Sequence, residues 1–300
     1  MVIDMHTHWF SGDMPFSPAK WKETIKGTMD MYLGLVPGSN FTEETVEATW
    51  ADPDGSRLIA TMDADGVDAA VVLPIDYGIL HGEEANIDWR AANKKHIELA
   101  KKYPGRIIPF YGIDPRRENA GQMFAEDMAA DGYKGLKLYP PCGFFPSDEA
   151  CWPLYEVCLE YDIPVLYHGA DSGFFSENDG SHPAHVRRTM DKFPDLKVVY
   201  AHGGGFHWSE DMTQMLKEYP NFTTDISAWV LLPEEEFQRR MDRIKEVVGD
   251  YKKVFYGTDH PVYNPVAPAP VFIARIKGLG LPKDVEAGIM GDYAKAFLGL

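Results

Sequence analysis

Ile3-Asp4-Met5-His6-Thr7-His8 begins the chain as a short apolar run carrying two histidines two positions apart. On a β-strand, residues i and i+2 share a face, so both imidazoles project in one direction. Residues 2–8 are followed by seven more runs of this kind, at 69–75, 106–113, 133–140, 164–169, 196–203, 221–227 and 254–261, bounded by Gly, Pro or Asp. Amphipathic stretches separate them, the alternation expected of βα units around a parallel sheet. Several runs are apolar on both faces, as strands are when side chains fill a barrel on one side and helices cover the other. The pattern predicts one α/β domain over residues 1–300, a (β/α)8 TIM barrel, a fold that takes about 250 residues in its usual form.

The connecting helices are legible from their ends. Residues 86–103 carry Trp89, Ile97 and Leu99 and stop at Pro104-Gly105. Ser209 is a candidate cap for a helix with Glu210 and Asp211 in its first turn and Met212, Met215, Leu216 and Tyr219 on its apolar face. Residues 234–248 repeat the pattern with Phe237, Met241, Ile244 and Val248. One segment, at about 9–54, breaks the alternation and is long for a βα connection. It holds Trp9, Phe10, Phe16, Trp21, Tyr32, Phe41 and Trp50 among other large apolar residues, so it must pack somewhere. Simple packing over the barrel mouth, a lid and a subunit contact are all open to such an insert. An acidic barrel of this size is expected to be a homodimer, with the insert as its extra contact surface.

Asp and Glu number 46 against 29 Lys and Arg, a formal net charge of −17. That field repels polyanions, so no nucleic-acid partner is expected. A small anionic substrate stays open, because a metal reverses the sign inside a pocket. The first residues lack the basic start and apolar run of a signal peptide, and no stretch nears the roughly 18 apolar residues of a membrane helix. A cytoplasmic location without membrane contact is the expectation. Three cysteines, an odd count without secretory signals, argue against a disulfide framework. Cys151 and Cys158, seven apart in a helical pattern, read as core residues, and Cys142 as a buried thiol after the fourth strand.

The chemistry collects at the strand ends. His168 closes the fifth run, His202 the sixth and Asp259 the eighth. With His6 and His8 they make five potential ligands at the carboxyl ends of barrel strands, the face on which barrel enzymes build active sites. Taken singly, each is a hydrogen-bonded core histidine or a helix-capping aspartate; together they point to a divalent-metal centre, since imidazole and carboxylate suit Zn²⁺ and similar ions. Tyr139, Phe144, Phe145, Phe174, Phe175, Trp229 and Tyr263 lie just beyond predicted strand ends, walls that suit a flat or apolar substrate. Of these, Tyr139, Phe174 and Trp229 are candidate substrate contacts. Arg116 and Arg117 are either a carboxylate clamp or a solvated helix start.

Four segments carry a family resemblance: residues 3–8, Tyr167-His168-Gly169, Tyr200-Ala201-His202-Gly203-Gly204-Gly205 and Tyr256-Gly257-Thr258-Asp259-His260-Pro261. They resemble the signature strands of the amidohydrolase superfamily, in the branch that contains aminocarboxymuconate semialdehyde decarboxylase. The likeness runs through to the closing residues 289–300, although Asp292 and Tyr293 stand where members often carry Asn. It implies metal ligation by His6, His8, His168 and Asp259, around one Zn²⁺ or another divalent ion such as Mn²⁺, with His202 contacting substrate. Some superfamily members carboxylate a lysine at the position of Lys137 to bridge two metals; this branch uses one metal, which leaves Lys137 as an anion or carbonyl contact.

The resulting expectation is a hydrolase of a small aromatic or carbonyl-containing molecule, acting through a metal-activated water with Asp259 and His202 as catalytic residues. Non-oxidative decarboxylation of a small carboxylate is the alternative, and a non-catalytic metal-binding protein a third reading. His202-Gly203-Gly204-Gly205 is not a lipase oxyanion motif, because no G-x-S-x-G elbow accompanies it, and neither phosphate-loop pattern occurs. A phosphoesterase or nuclease barrel would want a basic strip, which the chain lacks.

Overall fold

Parallel pairing runs in one direction around the barrel in the computed structural model, which describes residues 1–170 and 180–300. The strands are β1 (Ile3–Thr7), β2 (Ala69–Val72), β3 (Ile107–Pro109), β4 (Tyr111–Gly112), β5 (Leu136–Leu138), β6 (Val165–Tyr167), β7 (Val198–Tyr200), β8 (Phe222–Asp225) and β9 (Val254–Phe255). They form the ladders β1-β2-β3 and β4-β5-β6-β7-β8-β9. Phe110 joins the two: its N–H donates to Val72 O, and the next N–H, of Tyr111, donates to Gly135 O. β3 and β4 are therefore halves of the third strand read from the sequence. On the far side Met5 N–H donates to Tyr256 O at 3.0 Å and Asp259 N–H to His6 O at 2.8 Å. Those bonds close the eight-stranded barrel.

Alternation along the strands sorts side chains into two shells. Val71, Leu73, Ile108, Phe110, Leu166, Val199 and Phe255 fill the barrel, whereas Ala70, Val72, Val165, Tyr167, Val198 and Tyr200 join the larger core beneath the helices. β1 departs from strict alternation, because its register against β2 slips between Asp4 and Thr7. Met5 packs with the interior residues, yet the ring of His6 also meets that of His202, at 4.5 Å. A bulge of this kind re-aims the side chains after it. Here it lets one strand plug the barrel and still deliver both histidines to its mouth.

The helix Trp89–Lys102 starts where Asp88 accepts the N–H of Ala91, a few residues after the apolar pattern begins. Glu234–Val248 has the expected bounds. Ser209 does not cap its helix: it is the first residue of Ser209–Glu218, and no side chain caps the Trp208 position before it. Between β1 and β2 the insert forms two helices, Pro18–Leu35, capped by Ser17, and Glu43–Trp50, which opens with a Thr42/Thr45 capping box. These pack over the mouth. Tyr32 donates to Val262 O at 2.6 Å and accepts from Trp50 Nε1 at 3.0 Å, while Phe10 stacks on His8 and on Trp50. All three cysteines are buried thiols, and among the described residues no helix is long and apolar enough to cross a membrane.

Candidate metal centre

Hydrogen bonds around the histidines decide which nitrogens are left bare. His6 Nδ1 lies 3.0 Å from Asp225 Oδ2, and His8 Nδ1 lies 2.7 Å from Leu73 O. Neither oxygen can donate, so both Nδ1 atoms carry the proton and both Nε2 atoms present lone pairs. Asp259 Oδ1 stands 3.6 Å from His6 Nε2 and 3.3 Å from His8 Nε2. Among the described residues these three form one cluster with the spacing of a metal site, and His6, His202 and Asp225 form a second.

A relay of hydrogen bonds leads on from Asp225 to His202 and His168. Ser227 Oγ donates to Asp225 Oδ1 at 2.6 Å, so its oxygen accepts from His202 Nδ1 at 2.8 Å. His202 Nε2 is then bare and accepts from His168 Nδ1 at 3.0 Å. Among the described residues His168 Nε2 is left buried and without a hydrogen-bond partner, as is His6 Nε2. His168 thus joins the centre through His202 rather than through a contact with Asp259. Asp225 was not singled out in the sequence, although it ends a strand on the same face; its carboxylate also accepts the N–H groups of His202 and Ser227. Partners of this sort fix ring orientation and tautomer around a metal. Asp4, equally overlooked, accepts from the N–H groups of His6 and Thr258, each at 3.0 Å, and ties β1 to the turn bearing Asp259.

Electrostatics favour a cation here. Burial holds the imidazoles of His8 and His168 below their ordinary range and pushes His202 down to about 3. Burial works to raise Asp225 and Asp259, but the facing imidazoles outweigh it, so both stay ionised. Neutral nitrogens beside two carboxylates are what a divalent ion requires. His202 and Asp259 also hold left-handed backbones, φ 64° and 56°, a strain that clusters at functional sites.

The other candidate residues separate clearly. Tyr139 lines the cavity above the cluster, its ring 4.7 Å from that of His168. Tyr263 lines it too. Trp229 does not: it is fully buried, with Arg240 over its ring. Phe144 packs under Arg116 and Phe145 against His185. Phe174 and Phe175 lie outside the described residues. Arg116 binds Asp114 and Cys142 O, while Arg117 binds Asp76 and Glu84, so neither is a spare clamp. Trp229 instead explains the glycine run. Gly203 has φ +59°, and a Cβ there would overlap the indole. Gly203→Ala is expected to cost about 1–3 kcal/mol, read as a lower denaturation midpoint.

The amidohydrolase family model matches residues 3–300. This chain belongs to the amidohydrolase family. An uncharacterised TIM-barrel protein of Bordetella bronchiseptica superimposes with a TM-score of 0.74 at 19% identity, covering 100% of this chain and 99% of the other. The 5-carboxyvanillate decarboxylase of Novosphingobium aromaticivorans, in complex with manganese and a nitrobenzoic acid, gives 0.71 at 18%, covering 100% and 96%. Both likenesses concern the fold. A dihydroorotase of Pseudomonas putida is 25% identical over 158 residues, 49% of this chain and 44% of its own length. This family member therefore matches less than half of that curated relative.

Lys137 sits beneath the site. It is buried on β5, and among the described residues its Nζ has no hydrogen-bond partner. Burial pulls its pKa from 10.5 to about 8, with Asp259 and Asp225 acting against the drop. The shift is worth roughly 3 kcal/mol against the folded state at neutral pH. Metal-free Lys137→Met protein is therefore expected to be more stable than metal-free wild type below pH 8. Between about 8 and 10.5 the unfolded lysine holds a proton the native one has shed, so wild-type stability rises with pH and the difference closes. Denaturant titrations across that range check it.

Proposed function

We propose that this family member is a divalent-metal-dependent hydrolase of a small, flat, aromatic or carbonyl-containing compound. The observation that carries the reading is the cavity of about 560 Å³ over His8, His168, His202 and Asp259, walled by Phe10, Phe16, Trp50, Tyr77 and Tyr139. Among the described residues no Lys or Arg lines it. His6, His8, His168 and Asp259 would hold the ion. Three imidazoles and a carboxylate favour Zn²⁺, with Mn²⁺ the second choice in view of the manganese-bound decarboxylase of like fold. When bound, the ion supplies a Lewis acid that polarises a substrate oxygen and lowers the pKa of water from 15.7 to about 7.

The chain's own groups handle the protons and the pose. Asp259 is ionised and takes a proton at Oδ2 or Oδ1 before passing it to the leaving group. His202 Nε2 accepts from His168 Nδ1, so it takes up a proton from the reaction only as that hydrogen bond gives way, and contacts a developing oxyanion only once protonated. Tyr139 and its aromatic neighbours orient a ring and exclude bulk water.

Decarboxylation is the second reading. Apolar walls desolvate a carboxylate and favour its loss as neutral CO₂, and the manganese-bound protein of like fold is a decarboxylase. Hydrolysis stands first because a carboxylate held away from the ion needs a cationic clamp, and Arg116 and Arg117 are paired elsewhere. Panels of aromatic carboxylates, esters, amides and β-diketone-like compounds, followed for CO₂ release and for ¹⁸O uptake from labelled water, separate the two. Carbon dioxide without ¹⁸O in an organic product replaces hydrolysis with decarboxylation; turnover of neither class removes both.

A further inference from the structure

The cavity exceeds the ring its walls suit. A void of about 150 Å³ takes up benzene, and this one is about 560 Å³. A flat head group against Tyr139 and His168 leaves more than half of it unfilled. One helix of the insert lines much of the remainder, through Thr24, Thr28, Met31 and Leu35. Their spacing of four, three and four residues marks a single helical face. Eleven residues of rise make the stripe about 16 Å long. Leu231 and Phe206 line the same cavity. Leu35 is 41% and Phe206 51% exposed, so large apolar side chains left open to water belong to its rim. Apolar surface at the lip of a cavity is surface awaiting a ligand.

We propose that the substrate is amphipathic: a flat carbonyl- or carboxylate-bearing head at the metal centre, and an apolar tail of several carbons lying along Met31, Leu35 and Phe206. The placement of the head rests on the function proposed above; the tail channel stands on the volume, the helical stripe and the exposed rim.

The test is a homologous series. Metal-loaded protein is titrated with benzoate and with para-alkylbenzoates up to octyl, read by calorimetry and by the fluorescence of Trp50, which lines the cavity. Each methylene is expected to lower Kd by about two- to fourfold until the channel is full, fourfold being the value for complete burial. Met31→Gln with Leu35→Gln is expected to flatten that slope, and Phe206→Ala to reduce it should the double variant fail to fold. A flat wild-type series, or a slope that neither variant changes, overturns the proposal. So does self-association that is lost with Leu35→Gln while the slope persists, because the rim then belongs to a second copy of this chain. A parallel series of n-alkanols keeps the two readings apart. Alkanol binding with the expected slope, benzoate being silent, supports the tail channel and removes the head from the metal centre.

Discussion

Alanine at both His6 and His8 is expected to take the protein from close to one divalent ion per chain to background, and to abolish turnover with it. Each imidazole offers a bare Nε2 because its Nδ1 proton is committed to Asp225 or to Leu73 O. Loss of a single outer hydrogen-bond partner typically costs a metal site 10- to 100-fold in affinity, so removal of two direct donors exceeds that. Both residues are buried, and alanine leaves a small void and takes from Asp225 Oδ2 and Leu73 O the donors they had, which costs some stability. The fold is expected to persist, which circular dichroism checks beside elemental analysis. Asp225→Asn should fall between wild type and the double variant, because asparagine keeps the shape and loses the charge. Unchanged metal content and activity in the His6→Ala/His8→Ala protein would place the centre elsewhere.

Asp259→Asn and His202→Asn are each expected to lower kcat by about 10²–10⁴, the range for a general acid–base group, with little loss of folded protein. Both side chains face the cavity and handle charge that develops during the reaction, so the loss should fall on kcat rather than KM. Asp259→Asn also removes the negative charge 3.3 Å from His8 Nε2, so its metal content must be measured beside the rate. A rise in KM with kcat intact would assign His202 to binding instead of proton transfer.

The five polar residues at four strand ends were legible because a strand ending in His or Asp is a local pattern, and eight strand-like runs imply a shared rim. Ser209 misled for an equally local reason. A serine before an acidic turn has the chemistry of a cap, but the chain's exit from Gly204 starts the helix one residue sooner. Trp229 misled because its position just past a strand gives no hint of the glycine turn that lies over it. Asp225 was within reach of the same strand-end argument and was passed over.

Sequence alone therefore determined the barrel and its chemical rim, since β periodicity, helix ends and residue type are carried by neighbours along the chain. Tertiary structure alone decided the rest. It set the tautomers of His6, His8, His202 and His168, the pairing of Arg116 and Arg117 with acids, and the placing of the insert helix over the mouth. Each of these depends on which atoms from distant strands come within hydrogen-bond reach. Asp225 and His6, 219 positions apart, meet at 3.0 Å only once β8 and β1 share a closed barrel.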